Sequence, residues 1–504
     1  MPAEATTIAT SEDAGEAMAV TPPNDDQAPG LTGTRAAHPH PHDTLHVTPP
    51  DSSSPTNAMN AGTALPAPAR PKACASPVEM AAAFLATLTR PGPLLVAISG
   101  GSDSRALLLA LHAAGGRNLV AATVDHRLRA ESAAEADEVA ALAATLSIPH
   151  ETLPWHADKP RSGLMAAARM ARYDLLCDAA RRHGAVAVVT GHTATDQAET
   201  RTMRRLRSGD ETEAGMADAV LHMPSGVWIL RPFLSLERDT LRAYLRAAGH
   251  GWIDDPSNSD PRFERARLRR AGAVPDPVDA FPLAGDRDLI RHRAAESGEA
   301  AAFLRIHLQM PTPRIARLSP GFLAELPGPA ARRALFTLAR ILGGRQHGPG
   351  RLAEDRLLAF LAAGTPGRRT ASRTVFDRRR DGLWLYRESR DLPSVTVPAG
   401  ETTVWDNRLR IINPGPQALT VGPSRDPHAV AARLTAIGLP SAIARRAAPG
   451  EPDLPPTSAD ANPGLVPLLA PWDTFLPRFD LTIASLVAER VGLPAIAPPP
   501  VATN

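Results

Sequence analysis

The chain has 504 residues, of which 43% are hydrophobic, so it can build two or three domains with sizeable cores. Its formal net charge of +2 does not indicate a nucleic-acid partner, so local clusters of charge must decide that question. The two cysteines, Cys74 and Cys177, form no CxxC pair, which argues against structural zinc or an iron–sulfur cluster. Because no apolar run of about 18 residues occurs, we expect no transmembrane helix. The cysteine usage fits a reduced cytoplasmic protein.

Residues 1–75 contain no Phe, Trp or Tyr and are rich in Pro, Thr, Ser and Ala. Such a segment cannot bury enough apolar surface to offset the entropy that it would lose on ordering. It also lacks the apolar stretch of a signal peptide, and acidic residues come early in it. We therefore predict a disordered tail.

The most informative segment is LLVAISGGSDS at residues 94–104, where a short apolar strand, a tight turn and a helix start follow one another. Two glycines let the backbone approach a ligand without a Cβ clash, and serine hydroxyls and free helix N–H groups converge there. An ordinary capped turn is the alternative, but it does not need so many polar side chains around a glycine pair. Residues 99–104, here called the phosphate loop, are therefore predicted to bind an anion such as phosphate. No Gly-Lys pair is present, so this is not a Walker A loop.

Between residues 76 and 272, short apolar runs alternate with helical patterns. The predicted helices cover 79–89, 131–147 and 163–182, and the predicted strands cover 94–98, 119–124, 150–153 and 185–189. This alternation predicts an α/β fold, a parallel sheet with helices on both faces. Ligands of such sheets bind beyond the carboxyl ends of the strands. Because the phosphate loop, Asp125-His126 and Gly191-His192 all follow strands, we expect them to face one crevice.

These motifs resemble the PP-loop ATP pyrophosphatase family (N-type, adenine nucleotide alpha hydrolase-like), whose signature SGGxDS follows the first strand. Within that family, residues 80–272 are most similar to the tRNA(Ile)-lysidine synthases. GHTATDQAET at 191–200 resembles their GHxxDDQAET, with Thr195 where Asp is usual. The order RP at 231–232, DPSN at 255–258 and FERARLR at 263–269 resembles their RP, DPSN and FxRNxxR segments, with Ala266 where Asn is usual.

The resemblance implies an ATP-dependent carbon–nitrogen ligase that acts on the wobble cytidine of the CAU anticodon of tRNA(Ile). ATP would first adenylate the base, and free L-lysine would then be joined to C2, giving lysidine and changing codon reading from AUG to AUA. ATP is a substrate in this scheme, and Mg²⁺ would neutralise its phosphates, with Asp103 as the expected protein ligand. The predicted ATP-binding residues are Ser99, Gly100, Gly101, Ser102, Asp103, Ser104, Asp125, His126, Arg172, Gly191 and His192.

Two carboxylates, Asp196 and Glu199, are three residues apart on a predicted helix, so both can face the crevice. Such a pair is suited to holding the ammonium of free lysine and accepting its proton. The alternative is that they only complement the dipole at the start of the helix. We predict that Asp196 and Glu199 bind lysine and that Asp103 and Asp196 are the catalytic residues.

Basic residues cluster in two places, after the 191–200 motif and after DPSN. Dense arginines of this kind are suited to RNA phosphates, although a solvated helix face is the alternative. Acidic residues within 208–214 follow the first cluster, where the family has an uncharged loop. The predicted tRNA-binding residues are Arg204, Arg205, Arg207, Arg262, Arg265, Arg267 and Arg269.

The rest of the chain predicts smaller accessory regions. A Pro/Asp/Gly-rich linker at 273–290 precedes helices at 296–309, 329–342 and 351–362, and a β-hairpin follows around Asp381-Gly382. Further strands are predicted at 395–397, 402–405 and 409–412. The predicted domains are a tail (1–75), the PP-loop catalytic domain (76–272), a helical linker region (273–365), a β-rich accessory region (366–445), and a Pro-rich linker with a last packing element and a loose tail (446–504).

Other functions remain open at this point. The chain could be another PP-loop ligase or a tRNA thiolase, although thiolation needs cysteines near the loop. It could also be a catalytically silent RNA-binding relative, because of Thr195, Ala266 and the acidic segment. The sequence is compatible with a homodimer.

Deleting residues 1–75 should change neither the melting temperature nor the turnover by much, because the tail has no aromatic anchor with which to dock. Thermal denaturation and a turnover assay of the truncated protein check this. A drop of many degrees would show that the segment is ordered against the body.

Overall fold

The computed structural model describes residues 76–116, 118–128, 131–160, 162–208, 215–254, 264–274, 283–453 and 462–502. All of them belong to one compact unit, Pro71–Asn504. The predicted tail lies outside the described residues, and the predicted domain boundaries stay predictions. No helix in the described part of the chain is long and apolar enough to cross a membrane.

A seven-stranded sheet forms the framework of the N-terminal half. Its strands are β1 (Leu94–Ala97), β2 (Leu119–Asp125), β3 (His150–Pro154), β4 (Ala187–Thr190), β5 (Ala219–His222), β6 (Val227–Leu230) and, from near the C-terminus, β18 (Phe475–Pro477). The order across the sheet is β18-β5-β6-β4-β1-β2-β3. The five strands from β6 to β3 are parallel, and β5 and β18 add an antiparallel edge. The predicted parallel sheet is therefore confirmed, and β5, β6 and β18 are additions that the sequence did not predict.

Helices cover both faces of this sheet, as the buried apolar strands require. They are α1 (Pro77–Ala86), α2 (Ser102–Ala113), α3 (Ser132–Thr145), α4 (Leu164–Arg182), α5 (Ala194–Ser208), α6 (Arg238–Ala247) and α7 (Glu264–Arg270). Alternate residues of β1 enter different cores: Leu94 and Val96 pack with the side chains of α2, whereas Leu95 and Ala97 pack with those of α4.

The sheet has a topological switch point between β1 and β4. From β1 the chain proceeds outward through β2 to β3, then returns to place β4 on the other side of β1. In such sheets the crevice at the switch point opens beyond the carboxyl ends of the two strands. The phosphate loop follows β1 and Gly191-His192 follows β4, so both lie at this crevice.

The next part of the chain, residues 283–387, contains four helices and a second sheet. It contains α8 (Leu283–His307), α9 (Pro320–Ala324), α10 (Pro329–Gly343) and α11 (Arg351–Ala362), with a sheet of β7 (Leu308–Thr312), β8 (Ile315–Leu318), β9 (Gly367–Ala371), β10 (Thr374–Arg379) and β11 (Gly382–Arg387). The predicted hairpin is confirmed, because β10 and β11 are antiparallel and Arg379 pairs with Gly382. The linker predicted to reach residue 290 was wrong at its end, since α8 begins at Leu283. β7 was missed because Pro311 interrupts its pattern, which an edge strand tolerates.

The C-terminal part contains two small antiparallel sheets. One joins β12 (Val395–Val397), β15 (Leu419–Pro423) and β16 (Pro452–Asp453), and the other joins β13 (Thr402–Trp405), β14 (Leu409–Ile412) and β17 (Gly464–Pro467). Helices α12 (Pro427–Ala436) and α13 (Ser441–Ala447) lie between these strands in the chain. The strands predicted at 395–397, 402–405 and 409–412 are confirmed.

The end of the chain returns to the N-terminal half. After β18 joins β5, helix α14 (Leu481–Arg490) packs into the main core. The Trp228 indole N–H then donates to the Ala497 carbonyl at 3.2 Å. The Thr89 N–H donates to Pro500 at 3.0 Å, and the Ala502 N–H donates to Thr87 at 2.7 Å. The prediction of a loose tail is therefore wrong as far as Ala502. Hydrogen bonds that the composition does not reveal hold this segment against the N-terminal half.

Deleting residues 494–504 should destabilise the protein. The deletion removes three hydrogen bonds to the N-terminal half, and each contributes about 1 kcal/mol, so we expect a loss of about 3 kcal/mol. Chemical denaturation monitored by tryptophan fluorescence measures it. Trp228→Phe, which removes one of the three bonds, serves as the milder variant. Equal stability of the deleted and intact proteins would contradict the role given to this segment.

Candidate active site

The phosphate loop is shaped by its own hydroxyls. Ser104 Oγ accepts from the Ser99 N–H and donates to the Gly101 carbonyl, each at 3.1 Å. Helix α2 begins directly after Gly101, which has no side chain to cap the first N–H groups. These groups therefore face the crevice and can bind an anion. Gly100 has φ +81°, and a Cβ there would lie 2.6 Å from Ile253 Cδ1, so a glycine is needed.

The two strand ends at the switch point are in close contact. A Cβ on Gly191 would lie 2.7 Å from the backbone oxygen of Asp103, closer than real Cβ atoms approach. Gly191 therefore allows the turn after β4 to rest on the start of α2. The sequence predicted that both segments line one crevice, and the structure brings them together.

Asp125 and His126 close the end of β2. Asp125 accepts from the Arg127 N–H at 2.8 Å and from Ser132 Oγ at 2.7 Å. Burial opposes ionisation of Asp125, but these hydrogen bonds outweigh it and lower its pKa, so the carboxylate organises the turn. Burial and the charge of Arg172 lower the pKa of His126. A neutral imidazole therefore lies at this rim of the crevice.

Three carboxylates, here called the carboxylate cluster, come together on one side of the crevice: Asp103, Asp196 and Glu199. Arg238 joins two of them, because its Nε donates to Asp103 Oδ2 at 2.9 Å and its Nη2 lies 3.7 Å from Asp196 Oδ1. Burial raises the pKa of Asp103 despite this arginine. Asp196 also accepts from the N–H and the hydroxyl of Thr193, both at 2.9 Å. Burial opposes its ionisation, but its positive neighbours and the Thr193 N–H lower its pKa.

Arg238 was missed by the sequence analysis. It occupies the first turn of α6, where the helix dipole disfavours a cation. That mismatch was a signal in the sequence that the arginine has a partner elsewhere.

The third carboxylate, Glu199, is fully buried and faces helix α7. Arg269 Nε donates to Glu199 Oε1 at 2.5 Å. Arg265 reaches both helical carboxylates, with its Nε 3.8 Å from Glu199 Oε2 and its Nη1 3.5 Å from Asp196 Oδ1. Two arginines predicted to contact tRNA thus pair with the two carboxylates predicted to bind lysine. Arg267 is exposed on the same helix.

Another part of the crevice is positive. It carries Arg169, Arg172 and Arg231, here called the arginine cluster, and within the described residues no carboxylate forms an ion pair with any of them. Arg231 is only 6% exposed and donates to the Ala217 carbonyl at 2.6 Å. Burial tends to raise the pKa of Tyr173, but these three arginines outweigh it and lower the pKa to about 8. Burial and the same cations lower the pKa of His192 well below its usual range, and its Nδ1 contacts Thr190 Oγ1 at 2.9 Å.

The crevice therefore has two electrostatic halves. Each carboxylate of the carboxylate cluster faces at least one of three arginines, so the charges of that half balance. The half with the arginine cluster has uncompensated positive charge beside two neutral imidazoles. A polyanion suits the positive half, and an ammonium group suits the carboxylates.

The remaining predicted residues have varied positions. Arg204 and Arg205 are exposed near the end of α5, and Arg204 Nη1 donates to the Gly215 carbonyl at 3.0 Å. Arg262, most of the acidic segment and DPSN lie outside the described residues, as does the side chain of Arg207. Thr195 is half-buried on α5, and Ala266 is buried on α7. Cys177 is buried, which raises the pKa of its thiol to about 12, and Cys74 lies outside the described residues.

Tyr173 provides an optical test of the arginine cluster. The chain has three tyrosines, and burial raises the pKa of both Tyr244 and Tyr386. A titration at 295 nm should therefore show one phenol ionising near pH 8, and Tyr173→Phe should abolish this step. Inorganic triphosphate should move the step to higher pH, because an anion offsets the cations that stabilise the phenolate. Tyr244→Phe is the control and should leave the step in place. Absence of any ionisation below pH 10 would contradict the arrangement.

Comparisons with known proteins identify the family. The model of the PP-loop domain matches residues 78–273. The tRNA(Ile)-lysidine synthase of Rhizobium meliloti (strain 1021) is 42% identical over 450 residues, covering 84% of this chain and 97% of that protein. The enzyme of the same name from Mesorhizobium japonicum is 40% identical over 428 residues, covering 79% of this chain and 92% of that protein. The resemblance found in the motifs is confirmed, and the chain belongs to the tRNA(Ile)-lysidine synthase family.

Proposed function

We propose that this protein joins free L-lysine to C2 of the wobble cytidine in the CAU anticodon of tRNA(Ile), using ATP. The product, lysidine, changes codon reading from AUG to AUA. Family membership supports the overall reaction. The observation that carries the residue assignments is that one crevice contains both the arginine cluster and the carboxylate cluster. The phosphate loop lies in the same crevice, where its Asp103 backbone contacts Gly191.

In the first half-reaction, O2 of the cytosine attacks the α-phosphorus of ATP, and the bond to pyrophosphate breaks. The phosphate loop holds the leaving pyrophosphate through its hydroxyls and the N–H groups of α2. The arginine cluster stabilises the negative charge of the phosphates, because guanidinium groups bind phosphate oxygens in pairs. His126 and His192 are neutral, so they can donate a hydrogen bond without adding charge.

Mg²⁺ fits this site as a partner of ATP. Within the described residues no group of three metal-ligating side chains occurs, but Mg²⁺ usually takes one or two carboxylates and completes its shell with phosphates and water. Asp103, at the start of α2, would supply the carboxylate, with Asp196 beside it. The ion would neutralise phosphate charge in the adenylation step.

In the second half-reaction, the amine of lysine attacks C2 of the adenylated base, and AMP leaves with the electrons of the C2–O2 bond. The incoming ammonium must first lose a proton, for which Asp196 is the acceptor, and Glu199 adds a second negative charge. In the described state Arg265 and Arg269 neutralise both carboxylates. Phosphates of tRNA approaching α7 compete for these arginines, which leaves the carboxylates to the lysine ammonium.

The alternatives predict different chemistry. A thiolase needs a reactive thiol, and Cys177 is buried with a raised pKa. A silent RNA-binding relative would bind tRNA but would not exchange pyrophosphate into ATP. Mass spectrometry of the position-34 nucleoside, after incubation with tRNA, ATP and lysine, identifies lysidine formation, and pyrophosphate exchange separates another ATP-using enzyme from a silent relative. We place the protein in the cytoplasm, and a homodimer stays a prediction.

Two substitutions should separate the half-reactions. Asp103→Ala should abolish pyrophosphate release while the protein still folds, because the residue lies in the first turn of α2 and its side chain contacts Arg238 rather than the hydrophobic core. Asp196→Asn keeps the size and hydrogen bonding but removes the charge. Adenylated tRNA should therefore still form, while its conversion to lysidine slows and the apparent lysine requirement rises. Asp239→Asn, exposed on α6, is the matched control and should behave as wild type.

Radiolabelled pyrophosphate release and trapping of the adenylated tRNA measure the two steps. Normal turnover by a folded Asp103→Ala protein would overturn the ATP-site assignment. If Asp196→Asn instead blocks pyrophosphate release and leaves the lysine requirement unchanged, this residue belongs to the ATP or metal site.

A further inference from the structure

Arg238 lies between two carboxylates that belong to different half-reactions in the proposed function. Asp103 follows β1 and Asp196 follows β4, so no local sequence relation holds them together. The guanidinium of Arg238 reaches both, at 2.9 Å from Asp103 and 3.7 Å from Asp196. Its planar fork suits this bridge, because separate nitrogens of one rigid group reach separate carboxylates, whereas a lysine ammonium presents its donors from a single nitrogen.

The backbone around Arg238 is tied to both of its partners. The Ala194 N–H donates to the Leu236 carbonyl at 2.8 Å, which joins the start of α5 to the segment before α6. Helix α6 also packs along α2, whose first turn contains Asp103. The base of Arg238 is therefore fixed relative to both carboxylates, and its side chain has little freedom to choose other partners.

The position of Arg238 destabilises helix α6, which indicates that the side chain acts through contacts outside this helix. Arg238 is in the first turn of α6, where the dipole favours anions. The two carboxylates carry like charge and repel one another. A guanidinium between them offsets this repulsion and holds them in one arrangement.

We propose that Arg238 is a positioning residue that holds Asp103 and Asp196 in one arrangement for both half-reactions, and that it competes with the divalent cation for Asp103. This inference rests on the proposed function. It differs from a merely structural role in one respect: removing Arg238 should strengthen metal binding to the protein while it weakens turnover.

The first test is metal binding without ATP. Mn²⁺, a paramagnetic substitute for Mg²⁺, is titrated into the full-length protein and followed by electron paramagnetic resonance. Arg238→Gln should bind Mn²⁺ about tenfold more tightly than wild type, because the carboxylate loses a charge-assisted hydrogen bond that competes with the ion. Arg242→Gln is the matched control: this arginine is one turn further along α6 and pairs with Asp254 instead. It should leave Mn²⁺ affinity unchanged.

The second test is the kinetics of the two half-reactions, measured as pyrophosphate release and as lysine transfer to pre-adenylated tRNA. Arg238→Gln should lower kcat of both steps by about tenfold or more, with a smaller change in KM for ATP, because positioning acts on the transition state. Arg238→Lys should restore pyrophosphate release better than lysine transfer, since Asp103 is the nearer partner. If Arg238→Gln does not fold, Arg238→Lys carries the test, and it should still slow lysine transfer.

The outcomes distinguish a failure of the role given to Arg238 from a failure of the proposed function. Unchanged Mn²⁺ affinity, or wild-type rates for both steps, in a folded Arg238→Gln protein would overturn the role of Arg238. If at the same time Asp103→Ala abolishes pyrophosphate release and Asp196→Asn impairs lysine transfer, the proposed function stands without it. If Asp103→Ala retains pyrophosphate release, the proposed function itself fails.

Discussion

The contact between the turn after β4 and the start of α2 determines where everything else in the crevice lies. Gly191 rests against the backbone oxygen of Asp103 so closely that a Cβ would lie 2.7 Å from it. This approach is possible because β1 and β4 are neighbours in a parallel sheet and both end at the same edge. The carboxylates of α2 and α5 come within reach of one guanidinium as a result.

Different segments of the chain supply the positive and the negative side chains of this crevice. Helix α4 and the segment after β6 provide the arginine cluster, whereas α2 and α5 provide the carboxylate cluster. The first half suits the phosphates of ATP, and the second suits the ammonium of an amine nucleophile. His192 lies between them, where burial and the arginines keep it neutral. The separation lets one crevice accommodate an anionic and a cationic substrate without either one neutralising the other's site.

Arg265 and Arg269 of α7 pair with carboxylates in the structure, and the sequence predicts that they contact tRNA phosphates. In the structure they compensate Asp196 and the fully buried Glu199, because a buried carboxylate without a partner is costly. The same residues belong to the basic strip that the sequence analysis assigned to tRNA phosphates. An exchange of partners would connect RNA binding with the availability of the carboxylates. Arg267 is exposed on the same helix.

The sequence by itself determined the features that depend on neighbouring residues. Strand, glycine turn and helix start at residues 94–104 are local, and so are the spacing of Asp196 and Glu199 and the β-hairpin at Asp381-Gly382. The shared crevice could also be predicted, because the strand ends of a parallel sheet meet at one edge. Tertiary structure alone decided the pairings between distant segments. Arg238 is 135 residues from Asp103, and nothing local indicated which carboxylate would offset its position at a helix start. The sequence predicted a last packing element within 446–504, but it did not predict that β18 extends the first sheet or that residues 500–502 bond to the N-terminal half, because these backbone hydrogen bonds do not depend on side-chain identity.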